Sequence, residues 1–504
     1  MDTFTAFLHG LVFALSWQNL LYALTGSIIG TLVGVLPGIG PVAGIAILLP
    51  ITYSLDPTGA LVMLAAIYYG TMYGGTITSV LMNVPGESAS VITALEGYAM
   101  AQRGRAGSAL TVAAIASFAG GTFATIAIIV LAQPLTKLGL LFGPPEFFAL
   151  VLVGFTLLLG LAGNSLVKAA ISALFGLALT LPGLDPMSGA PRMTFGNVNM
   201  LDGFDLVPVL MGMFGISEIL MTLEQRNVPV HKAPPLREMM PTGEEWRRTV
   251  APTTRGTLIG FLIGIVPGLG AATAAFVTYA VERRFSKFRS QFGSGAVEGV
   301  AAPEAANNAA ANAALLPLLT LGLPGSASVA VLMGAFLING ITPGPFLFRD
   351  HADLVWTLIA SMLVGNVILV GLNVPLVGLW TRFLSIPYPI LFTMILLFAI
   401  IGSYSINSSM FDVGVMIAAG IAGYFLRKLD FPIAPIALTL VLGPQFEMSL
   451  RQSLVLSDGS YMIFFRSGIS TTLLVLAATI IILAAAGPAV GLFRKPHKTE
   501  ESEV

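Results

Sequence analysis

"GVLPGIG", Gly34 to Gly40, lies in the middle of a long apolar stretch, and "GIVPGLG", Gly264 to Gly270, repeats it in an equally apolar setting. Proline removes a helix donor and clashes with the preceding turn, and glycine loses more backbone freedom than any other residue. Either is a poor choice for a helix interior. A single Pro-Gly pair inside a membrane helix reads as a kink, since such helices hold more of both residues than soluble ones. Two matched pairs read instead as the tips of two helical hairpins that dip into a membrane.

Composition supports a membrane setting. Of 504 residues, 56% are hydrophobic and 10% charged, with a mean hydropathy of +0.88. Soluble domains carry about 25% charged residues. Apolar runs of the roughly 20 residues needed to span a bilayer recur along nearly the whole chain. The chain therefore reads as an all-α polytopic membrane protein. A net charge of -1 gives no sign of nucleic-acid binding, and with no cysteine there are no disulfides, thiolate metal sites or thiol nucleophiles. The start, "MDTFTAFLHG", lacks the basic residues of a signal peptide and is read as mature chain.

Basic residues mark the cytoplasmic side. They cluster at Arg103 and Arg105, from Arg226 to Arg255, from Arg283 to Arg289, at Arg382, at Arg427 and Lys428, and from Arg494 to Lys498. Between these clusters, crossings are expected near 107–132, 146–163, 166–183 and 205–223. Others follow near 352–380, 385–403, 410–426, 432–456 and 468–491. Lys137, Arg192, Arg349 and Arg466 fall on the outer side as a minority, and the loop 184–204 lies outside. Both flanks of Gly256 to Glu282 are basic, so both its ends should be cytoplasmic. Gly256 to Pro267 as helix rises only about 16–18 Å, roughly the middle of a ~30 Å core. That is a re-entrant hairpin.

Leu20 to Ser54 has the same design without basic flanks. An odd number of crossings, counting a broken segment 60–101, separates the two tips, so the hairpins enter from opposite sides. Similar halves in opposite orientation are the trace of an inverted repeat. The halves share a second element. "SVLMNVPGESASV" (Ser79 to Val91) parallels "LLTLGLPGSASVA" (Leu318 to Ala330), with one residue inserted in the first, and each predicts a discontinuous helix. Before the second break, Glu304, Asn308 and Asn312 form one stripe at i, i+4 and i+8. Tyr69, Tyr73, Thr76 and Asn83 occupy a similar face before the first.

Broken helices leave unpaired backbone groups that persist only where they are buried in protein or line a wet cavity. Helix starts after the breaks present N–H groups and a positive dipole end, which suit an anion. The expected substrate-binding residues are Pro37, Gly38, Gly86, Ser88, Ser90, Gly268, Gly325, Ser326, Ser328 and Asn308. Carbonyl and amide oxygens suit Na⁺, and the cation set is Gly40, Asn83, Gly270 and Asn312. No enzymatic motif is present: there is no Walker A loop, no HExxH and no G-x-S-x-G. The chain is not read as an enzyme and needs no cofactor beyond a coupling ion, Na⁺ or H⁺.

Blander readings compete. Intramembrane asparagines often only tie helices together, which stands against function for Asn308 and Asn312. Glu304 reads either as a proton relay or as a solvated residue near the cytoplasmic start of its helix, with solvation favoured. Gly70 and Gly74 read as close-packing positions, His9 as interfacial, and Glu87 as either a loop residue or a cation ligand.

"GTLVGVLPGIGP", "YYGTMYGGTITSVLMNVPGESASVITALEGYAMAQRGRAG" and "EGVAAPEAANNAAANAALLPLLTLGLPGSASVAVLMGAFLINGITPGP" closely resemble the large membrane subunit of the tripartite tricarboxylate transporters. The likeness runs over nearly the whole chain, including "FPIAPIALTLVLGPQFE" (Phe431 to Glu447). It implies a bacterial inner-membrane permease working with a small membrane subunit and a periplasmic substrate-binding protein. It further implies secondary uptake of carboxylates such as citrate, coupled to Na⁺ or protons. The family's Pro-Gly motifs carry over to Pro37-Gly38, Pro85-Gly86, Pro267-Gly268 and Pro324-Gly325.

The resulting expectation is an N-terminal interfacial segment (1–19), a transport core (20–105 and 256–348), scaffold helices (106–223 and 349–492), a cytoplasmic loop (224–255) and a cytoplasmic tail (493–504). By analogy the core moves as an elevator. The loop 184–204, with "PMSGAPRMTFGNVN", is a candidate docking surface for the binding protein. A homodimer is left open. The alternatives are another carboxylate, for example an aromatic one, with H⁺ coupling, or a passive anion channel.

Overall fold

The computed structural model describes residues 3–36, 40–161, 165–224, 238–383 and 388–492. In chain order the first helices are α1 (Thr3–Ala14), α2 (Trp17–Val35), α3 (Gly40–Leu48), α4 (Pro57–Met82) and α5 (Val91–Gln102). Next come α6 (Ala106–Gly139), α7 (Pro144–Leu161), α8 (Leu166–Leu179), α9 (Leu206–Leu210) and α10 (Ser217–Leu223). A π-helical turn, Met211–Ile216, joins the last two into one rod. The second half opens with α11 (Gly243–Ile265), α12 (Gly270–Phe285), α13 (Glu298–Ala313), α14 (Leu315–Leu321) and α15 (Ala327–Ile338). It continues through α16 (Leu347–Asp350), α17 (Ala352–Asn373), α18 (Val377–Phe383), α19 (Tyr388–Asn407), α20 (Met410–Lys428), α21 (Ala434–Leu456) and α22 (Gly468–Leu492). Among the described residues the one sheet is a two-residue ladder, β1 (Gly183–Leu184) against β2 (Pro191–Arg192), in the loop expected outside.

Five described helices (α2, α4, α6, α17 and α20) are long and apolar enough to cross a membrane. Alone among them, α4 is buried throughout the window that qualifies it. Small residues at a spacing of four decide what packs on it. Gly26, Gly30 and Gly34 form one row on α2, the geometry that lets two helix backbones meet. A methyl on Gly30 would stand 2.5 Å from the Ile67 carbonyl oxygen, and methyls on Gly26 and Gly34 would run into the carbonyls of Met63 and Thr71. From α4, Gly70 and Gly74 approach the carbonyls of Ser27 and Thr31, the close-packing role expected of them.

The second half uses the same device. Gly256, Gly260 and Gly264 on α11 lie against Ala302, Ala306 and Ala310 on α13, and a Cβ at Gly264 would sit 2.5 Å from the Ala310 Cα. Thus α2–α3 and α11–α12 are helical pairs whose first arm is seated on the helix that follows the pair. The boundaries differ from the sequence reading in three places, the first being α6, which runs on to Gly139 past the expected end near 132. Helix α11 starts at Gly243, inside the stretch read as loop, because Thr242 and Glu245 close a capping box there. The crossing expected over 352–380 is two helices, α17 ending at Asn373 and α18 starting at Val377.

Candidate functional site

The two Pro-Gly breaks after the hairpins are built position by position. Helix α4 ends on Asn83 in the left-handed conformation (φ 57°), and α14 ends on Gly322 in the same conformation (φ 73°). After each Pro-Gly stands an N-cap. Glu87 accepts through Oε2 from the Ala89 N–H at 3.2 Å, and Ser326 accepts through Oγ from the Val329 N–H at 3.3 Å.

Each break is pressed onto its hairpin, near the end of the first arm in one half and just past it in the other. A Cβ on Gly86 would strike the Gly34 carbonyl, while the Gly268 N–H donates to the Gly325 carbonyl at 3.0 Å. Gly325 has no room behind it either, since its Cβ would lie 2.7 Å from Ala314 Cα. The second arms of both hairpins begin at left-handed glycines, Gly40 (φ 62°) and Gly270 (φ 68°), a conformation that L side chains avoid.

Between these four segments lies a cavity of about 490 Å³, within the range of small-ligand sites. Helix starts border it from both hairpins (Gly40, Gly270), from the second break (Ala327) and, at the first, from the 3-10 turn Ser88–Ser90 that runs directly into α5. The first turn of a helix leaves N–H groups without intrahelical partners and carries partial positive charge. Four such starts on one cavity make an anion-attracting environment. Tyr68, Met72 and Phe214 supply apolar wall, and the ion pair Arg427–Glu218 closes one side. The carboxylate of Glu87 also faces the cavity, held by Asn307 Nδ2 at 3.0 Å.

Of the residues expected to bind substrate, Gly86, Ser88, Gly268, Ser326 and Ser328 line this cavity. Gly325 and Ser90 stand behind its wall, Ser90 being buried and hydrogen-bonded to Ser79 Oγ at 2.9 Å. Pro37 and Gly38 lie outside the described residues. Asn308 is directed elsewhere, its amide donating to the Glu304 carbonyl on its own helix. The expected cation set does not assemble. Gly40 and Gly270 share the cavity, but Asn83 is an exposed helix terminus and Asn312 is buried against α6, donating to the Gly121 carbonyl at 3.1 Å.

Tyr73 and Thr76 of the expected stripe do share a face of α4, but that face is not the one on the cavity. Tyr68 and Met72 face the cavity, while Tyr69 and Tyr73 are buried on another side of α4, with Tyr69 donating to Ser361 of α17. Glu304 is not solvated. It is fully buried and accepts from Thr93 and Ser117 hydroxyls. Glu87 resolves as an N-cap in the cavity wall. Tyr68 and Asn307 escaped the sequence reading because nothing distinguishes them from their neighbours in a tyrosine pair and an asparagine pair. Arg427 escaped it because a basic residue at a helix end also marks a membrane face.

Residues 20–438 match the tripartite tricarboxylate transporter TctA family. The chain belongs to that family. A TctA chain is a membrane component of tricarboxylate transport, not an enzyme, and a tripartite system supplies it with a small membrane subunit and a periplasmic binding protein. An Agrobacterium vitis relative described as "Uncharacterized 52.8 kDa protein in TAR-I ttuC' 3'region" is 44% identical over 487 residues, 96% of each chain. A second from the same organism, "Uncharacterized protein in TAR-II ttuC' 3'region", is 48% identical over 169 residues, covering 34% of this chain and 70% of its own. No solved structure matches.

Proposed function

We propose that this TctA chain is the permease of a cation-coupled carboxylate uptake system in a bacterial inner membrane, and that the cavity between the hairpin tips and the breaks receives the substrate. Convergence of four helix starts on one cavity carries this reading. Substrate carboxylates are received by backbone N–H groups and by the hydroxyls of Ser88, Ser326 and Ser328, with Arg427 as the nearest side-chain positive charge. Glu87 supports coupling. A carboxylate in the wall of an anion site repels the substrate unless a cation neutralises it first. Ordered loading of cation and then anion makes symport the natural use of such a wall.

The matched hairpins and breaks support an inverted repeat, with the two tips gating the cavity from opposite faces and the core moving against its scaffold. A passive channel has no need of a buried carboxylate beside its anion path. The binding protein delivers a di- or tricarboxylate such as citrate. The test is uptake of labelled citrate into vesicles carrying the chain with its two partners, with and without an inward Na⁺ gradient. Accumulation above the outside concentration that collapses with the gradient is expected. Equilibration without accumulation under both a Na⁺ and a proton gradient would overturn the symport reading.

A further inference from the structure

Glu304 is fully buried on α13, and among the described residues no basic side chain pairs with it. Its partners are neutral: the hydroxyls of Thr93 on α5, Ser117 on α6 and Thr76 on α4. An isolated buried carboxylate is strongly unfavourable in its ionised form unless a proton or another cation joins it.

Two of those partners, Thr76 and Ser117, also line a small chamber of about 10 Å³ together with Tyr73, Asn373 and apolar side chains, the polar four all buried. That is about the room one water or one small ion requires. Two lining groups lack any hydrogen-bond partner, the Tyr73 hydroxyl and the Asn373 Oδ1. Buried polar atoms in native proteins are nearly always satisfied, so an unpartnered pair on one chamber points to an occupant. The lining offers four neutral oxygens, those of Tyr73, Thr76, Ser117 and Asn373, with the Glu304 carboxylate behind the Ser117 and Thr76 hydroxyls as the nearby negative charge, a set suited to a hard monovalent cation.

The structure assigns to Glu304 and this chamber a binding site for one coupling cation, Na⁺, separate from the substrate cavity. The two sites communicate through α13. Asn307, which holds the cavity carboxylate Glu87, stands one turn beyond Glu304 on the same helix. Filling the chamber offsets the Glu304 charge behind the cavity wall and, through α13, lowers the negative field an anion meets beside Glu87. This inference rests on the proposed symport only for its role in coupling; the binding site stands on geometry alone.

The test is Na⁺ binding by the purified full-length chain in lipid nanodiscs without substrate, read as Na⁺-dependent thermal stabilisation against matched choline. Wild type is expected to be stabilised saturably by Na⁺, and Glu304→Gln to lose the response. Tyr73→Phe removes a hydroxyl that nothing else uses and should weaken apparent Na⁺ affinity about tenfold, which keeps the test sharp if Glu304→Gln folds poorly. Na⁺ stabilisation unchanged in both variants would overturn the assignment, as would no Na⁺ response in wild type. Should wild type show no Na⁺ response while Glu304→Gln loses proton-driven accumulation, the site's cation would be H⁺ and the Na⁺ assignment would be wrong. Because no carboxylate is needed, a failed citrate experiment and a failed Na⁺ experiment are separate results.

Discussion

The two hairpins begin their second arms alike, at left-handed Gly40 and Gly270, and differ at the base. At the base of α11–α12, Arg255 forms a two-bond pair with Glu282 at 2.7 and 2.8 Å, and Arg248 does the same with Glu298 at 2.8 and 2.9 Å. Arg105 reaches Glu245 nearby. Glu96 of α5 is wholly buried and accepts from the Tyr279 hydroxyl and the backbone N–H groups of Gly293, Gly295 and Ala296. At the base of the first hairpin the corresponding contacts are sparse: Gln18 donates to Tyr22 at 3.0 Å and to Asp56 at 3.5 Å. The starts of the second arms, which line the cavity both halves build, are alike, and the bases are free to diverge. Charged clamps serve the one whose flanks are polar.

The comparison breaks most severely at the glycine rows. Gly34→Leu and Gly264→Leu each drive a side chain into backbone, so both should abolish transport and lower the yield of folded protein to a similar degree. Uptake assays with membrane quantification would check this, and a tolerated leucine in either row would show that the two hairpins are not seated alike. Gly325→Leu, at a break, should abolish transport while the chain still inserts.

The bases should behave unequally. Arg255→Ala strands Glu282, which is 1% exposed although Arg255 is 39% exposed, and leaving a buried acceptor without its partner costs about 1–3 kcal/mol. Gln18→Ala at the other base should change stability by no more than about 0.5 kcal/mol. Thermal unfolding of the purified chain separates the two outcomes, and equal shifts would remove the distinction between clamped and unclamped bases.

The smallest effect is expected at the loop carrying β1 and β2. Its Asp185 is held well below the usual carboxylate range by the Ser188 N–H and then by Arg451, with burial opposing. A depressed carboxylate adds stability that is complete above its unfolded value of about 3.9 and is lost as pH falls below it, toward the lower folded value. Hydrogen exchange at 185–192, corrected for intrinsic rates, should therefore stay slow at neutral pH and rise below about pH 4. Exchange in Asp185→Asn should be faster at neutral pH and flat across that range; a wild-type pH response in the variant would contradict the assignment.

Much of this architecture is legible in the sequence because Pro-Gly pairs and glycine rows act locally. Gly40 and Gly270 do the same thing for the same reason, and their repeated heptapeptide announces it. Side-chain destinations are harder. Whether Asn312 faces a cavity or the backbone of α6 depends on a helix far away in the chain, Gly121 lying 191 positions from it. Asn83 carries an amide suited to a cation, yet the helix needs a left-handed terminus there and asparagine tolerates it. Burial of Glu304 rests on hydroxyls from other helices that no local pattern foretells.

The central claim, that both halves contribute to one anion site, is tested most directly by cysteine protection, since the native chain has no cysteine. Ser88→Cys and Ala327→Cys place single thiols in the cavity wall from the first and second break, and Asn199→Cys serves as an exposed control on the loop. The complex would be labelled with a thiol reagent in the presence and absence of each carboxylate it accumulates. Slower labelling of both Ser88→Cys and Ala327→Cys, with Asn199→Cys unaffected, is the predicted result. An accumulated carboxylate that protects neither site would contradict it.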